Sequence, residues 1–215
     1  MKHLLNKEFR LAMHPTNLIF LTLSAMLLIP DYPYYVIFFY TTLGLFFVCL
    51  NGRENHDIEY SLTLPIRKRQ IVEGRIAFTV VIELLQVALA IPFAWLRAKI
   101  SPAVNTVGMD ANIALFGFTL LMFGLFNWFF FTAYYKAPAK VGKAFLVAST
   151  AVMLYIVVAE TLAHALPFIR DCLDTPDPQF LGVKLATLGI GAALYALITY
   201  AAYRTAAKRF EALDL

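Results

Sequence analysis

Long apolar blocks alternate with short polar connections along most of this chain. Six blocks stand out, at residues 17–30, 34–50, 76–96, 113–135, 144–166 and 181–203. All but the first two approach or exceed twenty residues, the length that crosses ~30 Å of hydrocarbon as an α-helix. The Pro30-Asp31-Tyr32-Pro33 connection is too tight to hold a domain and folds the first two blocks into a hairpin. Ahead of them, residues 1–14 have helical periodicity. At ~100° per residue, Leu4, Leu5, Phe9, Ala12 and Met13 share one side, with His3, Asn6, Lys7 and Arg10 opposite. Glu8 is the exception on the apolar side. This pattern predicts an amphipathic helix lying at the interface, with Pro15, Thr16 and Asn17 turning the chain into the bilayer. The expected fold is an all-α polytopic membrane protein with six transmembrane helices, forming one transmembrane domain over residues 1–215.

Composition strengthens this expectation. The 215 residues are 60% hydrophobic and 15% charged, against roughly a quarter charged in soluble domains. The net charge of +4 does not point to nucleic acid, because the basic residues sit in separate short loops and form no continuous patch. Topology accounts for them. Of the 18 Lys and Arg, only Arg97, Lys99 and Arg170, in the odd-numbered connections, and Lys184, at the start of the sixth block, belong to the other side. The rest lie at the N-terminus, in the second and fourth connections and in the tail. The positive-inside rule therefore predicts cytoplasmic termini in a bacterial inner membrane. Cys49 and Cys172 are then a bilayer apart and are expected to be free thiols. No small-x-small cleavage site follows the first block, so the N-terminus is expected to stay attached. The longest inner connection, residues 51–75, is too short to fold alone.

That connection is the most informative segment. Asn55 or Asp57 is placed to cap a short helix with Ile58 and Leu62 on one face, and Pro65 ends it. Residues 66–75 form a basic helical lead-in to the third span. A short helix beneath the membrane with polar and acidic tips suits docking to a cytoplasmic partner. A solvated loop that only fixes topology has the same periodicity, so both readings stand at this point.

The same residues resemble a family, the ABC-2 type transporter permeases. The resemblance rests on Lys7-Glu8-Phe9-Arg10 before the first span. It continues with Glu54-Asn55, Asp57, Tyr60-Ser61-Leu62, Leu64-Pro65-Ile66, Lys68-Arg69-Gln70-Ile71-Val72 and Arg75. Arg67 departs from the small hydroxyl residue often found there, and the later spans match only in layout. The resemblance implies that Glu54, Asn55, Asp57, Ile58, Tyr60, Ser61, Leu62 and Pro65 form a coupling helix that docks on a separate ABC ATPase subunit. It also implies two ATPase copies, a second permease subunit, identical or paralogous, and export as the function. ATP and Mg would then be held by the ATPase. Lys136, Lys140 and Lys143, in the fourth connection, are expected to make a second cytoplasmic contact.

This chain is expected to bind no cofactor and to be no enzyme. A phosphate-cradling loop needs G-x-x-x-x-G-K-[ST]. Around Gly142-Lys143, Ala137 replaces the first glycine and Ala144 the hydroxyl residue. H-E-x-x-H and aspartate-rich repeats are also missing from the sequence.

Polar residues inside the spans are the remaining candidates. Glu83 lies in the third span, where a charge costs roughly 2.5–3.5 kcal/mol. Either it relays an ion, which gives the alternative of an ATPase-independent ion-coupled carrier or channel, or with Gln86 it glues helices together. Glu160 and His164, four apart in the fifth span, are expected to pair at the interface and to bind no metal, which would need at least three protein ligands. Phenylalanines fall on every side of the fourth span. Gly182, Ala186, Gly189 and Ala193 in the sixth form a small-residue stripe suited to close packing.

Overall fold

The computed structural model describes residues 2–100 and 105–214, without the side chains of Lys2, His3, Leu4 and Leu11. All regular structure among them is helical. In chain order the α-helices are α1 (Lys2–Lys7), α2 (Pro15–Thr22), α3 (Tyr35–Glu54), α4 (Asp57–Leu62), α5 (Lys68–Ile100), α6 (Ile113–Tyr134), α7 (Val141–Ala165) and α8 (Leu181–Glu211). Among the described residues, five helices are long and apolar enough to cross a membrane. These are Tyr35–Glu54, Lys68–Ile100, Ile113–Tyr134, Pro138–Ala165 and Leu181–Glu211. The protein is an all-α, multi-pass membrane protein.

The first apolar block is a shorter helix, Pro15–Leu28. His14 caps it, its Nδ1 accepting the Thr16 N–H at 3.3 Å. Pro15 occupies the first turn, where its missing N–H costs nothing. After Thr22 the coil tightens into a 3-10 turn, Leu23–Leu28. At ~1.5 and ~2.0 Å per residue the two pieces together reach only ~24 Å. The amphipathic N-terminal segment also breaks in two, with α1 passing into a π-turn at Glu8–Ala12.

Helix α6 is the central element and packs most extensively on α8 and then α7. It is apolar all round, as a buried helix should be. Leu115, Met122, Phe123, Phe126, Phe130 and Phe131 are fully enclosed. Five of the seven phenylalanines of this span, Phe116, Phe123, Phe126, Phe130 and Phe131, therefore fill the middle of the bundle, while Phe118 and Phe129 are half-buried. The α6–α8 crossing is close because Gly117 and Gly191 meet there. The stripe at Gly182, Ala186, Gly189 and Ala193 is on the other side of α8 and is exposed. Both cysteines are free.

Candidate functional site

Arg75, in the third turn of α5, organises the end of the bundle that carries α4. Its Nε forms an ion pair with Glu8 Oε2 at 2.6 Å, one Nη holds the Asp57 carboxylate, and the other reaches Cys49 Sγ at 3.7 Å. Lys7 Nζ adds Asp57 Oδ1 at 2.7 Å and Ser61 Oγ at 2.6 Å. Arg75 and Glu8 are only 4% and 3% exposed. One guanidinium thus joins α5, which carries it, to three other elements: the N-terminal π-turn, α3 and α4. A fork of fixed donors suits this role, whereas the point charge of a lysine does not. Burial by itself would raise the Asp57 carboxyl, but the charges of Arg75 and Lys7 outweigh it and hold the group below the ordinary carboxylate range. Glu8, which interrupts the apolar side of the N-terminal segment, is explained by this cluster.

The same geometry sorts the residues of the predicted coupling helix. The helix exists, at Asp57–Leu62, but no side chain caps it. The chain turns into it through His56 in a left-handed conformation. Asp57 and Ser61 face inward and anchor it, while Ile58 and Leu62 are half-buried against the core. Glu54, Asn55, His56, Glu59, Tyr60 and Pro65 are exposed, and Tyr60 is 56% exposed. His56 and Glu59 approach within 3.7 Å.

The segment expected from the sequence to make a second contact lies beside this face. Arg53 pairs with Glu54 and donates to the Ala139 carbonyl at 3.4 Å. That contact draws in the connection and the first turn of α7, which carry Lys136, Lys140 and Lys143, all exposed. The tail joins the same platform through Lys68 and the Leu213 carbonyl. Arg69 also donates to Tyr203 Oη at 2.7 Å. Sequence reasoning missed the roles of Lys7, Glu8 and Arg75. The available signal was a lone acid on an apolar face together with an arginine one residue before an apolar block.

Glu83 and Gln86 are both fully buried, but they join different partners. Glu83 Oε2 accepts from Tyr195 Oη at 2.7 Å and from Asn127 Nδ2 at 3.0 Å. Asn127 also donates to Thr199 Oγ1 at 3.2 Å, so these groups link α5, α6 and α8. Gln86 donates to Ser24 Oγ at 2.8 Å and ties α5 to the 3-10 turn. All these partners are neutral, and such contacts glue helices where the alternative is an unsatisfied polar group in hydrocarbon. Glu83→Gln, which keeps an acceptor of the same shape, should leave the melting temperature of the purified protein nearly unchanged. Glu83→Ala should destabilise it by about 1–3 kcal/mol through the stranded Tyr195 and Asn127 groups. Equal melting of the two variants would remove Glu83 from this role.

Glu160, expected to pair with His164, also makes a hydrogen bond elsewhere. Glu160 Oε2 accepts the Met109 N–H at 3.0 Å, while His164 is exposed. A backbone amide held within reach is a better partner for a half-buried carboxylate than an imidazole free to seek solvent. Gly108 leaves room for this approach, since a Cβ there would stand 2.7 Å from Glu160 Oε1.

Comparison with known proteins agrees with the layout. No curated protein and no solved structure matches the chain. A family model described as "ABC-2 family transporter protein" matches residues 3–209. That span takes in the Arg75 cluster and all the long helices but the last two residues of α8, so the chain belongs to the ABC-2 family of transporter proteins and is a membrane permease component of an ABC transporter.

Proposed function

We propose that this chain is the permease half of an exporter driven by a separate cytoplasmic ABC ATPase, present in two copies and carrying ATP and Mg. In this reading two permease subunits, identical or paralogous, sit in a bacterial inner membrane and cross it six times each, with both termini in the cytoplasm. The single observation that supports it most is the Arg75 cluster. An exposed short helix that merely fixed topology would need no buried fork to α5. Here α4 is bound to the longest helix by charges that are nearly desolvated, so force applied to Tyr60 would reach α5 as a rigid unit. Binding energy at the ATPase would then bias α5 between two positions, which requires only that the ATPase prefer one of them.

The docking face in this reading consists of Glu54, Asn55, Glu59 and Tyr60 on α4 and its approach, flanked by Lys136, Lys140 and Lys143. Tyr60 is the anchor, since an exposed aromatic among charged neighbours is the usual form of an interface hot spot. The double variant Tyr60→Ala, Glu59→Lys should reduce co-purification of the ATPase at least ~10-fold, with insertion and melting temperature unchanged because neither side chain joins the cluster. Undiminished co-purification would refute docking at this face. Activity of the chain alone in proteoliposomes under a proton gradient, without nucleotide, would instead favour an ion-coupled carrier using Glu83. The neutral hydrogen-bond partners of Glu83 support the structural role over that one.

A further inference from the structure

A cavity of about 630 Å³ lies at the end of the bundle opposite α4, between the last turns of α5 and the start of α6, with residues 176–178 above it. Its size is within the ~300–1,000 Å³ typical of small-ligand sites. Ile91, Ala94 and Phe116 make an apolar wall, and Trp95 stands at the mouth. Ile91 and Trp95 are 53% and 64% exposed, so the cavity opens sideways, toward the space that lipid occupies.

The charges around it are mostly balanced. Asp177 receives Lys184 Nζ at 2.9 Å and the Ile113 N–H at 3.1 Å. Asp110 accepts the Asn105 N–H at 2.6 Å and feels the field of Arg97, which itself donates to Tyr34 Oη at 3.1 Å. Lys99 is different. Among the described residues it makes no ion pair, and its Nζ lies over the Trp95 ring, 5.3 Å from the centroid. Two acids and two bases line the cavity, Asp110 and Asp177 with Arg97 and Lys99, and Asp174 adjoins through the Asp110 N–H at 2.7 Å. The site is therefore marked by the exposed Lys99 ammonium, unpaired among the described residues, and not by a net charge.

Depth supports the same conclusion. Helix α5 has 33 residues, or ~50 Å of length against ~30 Å of hydrocarbon. The Arg75 cluster fixes its beginning at one surface, so its last turns reach the headgroups of the other. Trp and Lys are the residues that belong at that level.

We propose that this cavity is a binding site for an anionic phospholipid of the surrounding leaflet, its chain against Ile91 and Phe116 and its phosphodiester on Lys99. The site adds to the transport reading and does not depend on it, because an anionic lipid is available to either face of the membrane.

The chain has two tryptophans, so Trp128→Phe leaves Trp95 as the only reporter. The full-length protein is placed in nanodiscs containing brominated phosphatidylglycerol or, at the same mole fraction, brominated phosphatidylcholine. One lysine at a surface enriches an anionic lipid roughly fivefold, so phosphatidylglycerol should quench Trp95 several-fold more efficiently. Lys99→Gln should make the two lipids equal, and Lys99→Arg should keep the preference. Equal quenching with Lys99 in place, or a preference that survives Lys99→Gln, overturns the proposal. If Trp128→Phe does not fold, native mass spectrometry of the protein with both tryptophans supplies the second readout. Phosphatidylglycerol retained with Lys99 and lost in Lys99→Gln supports the site. Retention of a non-phospholipid amphiphile instead would assign the cavity to cargo and overturn it.

Discussion

Arg75→Ala should lower the stability of the purified protein by about 3–5 kcal/mol, the usual cost of stripping the partner from a buried charge. Two carboxylates lose one counter-charge each at once. Among the described residues Glu8 keeps only Lys7, at 3.6 Å, and Asp57 keeps only Lys7. Arg75→Lys should recover part of the loss, because one ammonium cannot reach both acids along separate donors. Thermal melting in detergent monitored by size-exclusion fluorescence reads the effect. A melting temperature within error of the parent would mean that the cluster does not hold these elements together. If α4 transmits force as proposed, the variant should also separate ATP hydrolysis by the assembled complex from solute movement.

The cluster carries a pH signature with a definite sign. The folded Asp57 carboxyl lies below its ordinary value. Its contribution is therefore complete above the unfolded carboxylate range near ~4 and is lost as pH falls through the lower folded value. Melting temperature should drop below about pH 4, and Asp57→Asn should remove that part of the dependence.

The second large effect is at the α6–α8 crossing. A Cβ at Gly191 would stand 2.1 Å from the Gly117 carbonyl oxygen and 2.7 Å from its carbon. Both are backbone atoms and cannot rotate away, so Gly191→Ala forces the two helices apart. The expected loss is about 1–3 kcal/mol or more, as for overpacked cores. Gly117→Ala should behave alike, since its Cβ would meet the Thr187 carbonyl oxygen at 2.7 Å. Gly189→Ala is the control. Nothing lies within 4 Å of its added Cβ, and alanine is the better helix former by ~1 kcal/mol. Melting of the three variants side by side tests the crossing, and equal behaviour of Gly189→Ala and Gly191→Ala would refute it.

These two predictions mark where reading along the chain stopped. The stripe at Gly182, Ala186, Gly189 and Ala193 has the spacing of a packing face, yet α8 turns it outward and uses Gly191. Periodicity identifies a face of small residues but not the helix that approaches it. Asp57 shows the same limit. Its place in the motif assigned it to the docking face with Tyr60, whereas the fold turns it inward to Arg75 and leaves Tyr60 outside. Glu8 is the converse case, a visible anomaly whose cause lay 67 residues away along the chain.

By itself the sequence determined that this protein lives in lipid, that it is helical, where the long helices run and to which family it belongs. These properties follow from local quantities: apolar length against bilayer thickness, charge at the ends of blocks, and a contiguous motif. Tertiary structure decided which helix is central, which glycine makes the crossing, which acid anchors α4 and which polar groups meet Glu83. Each of these is a pairing between residues distant in the chain, and its energy depends on an angle or separation of a few ångströms that no one-dimensional pattern contains.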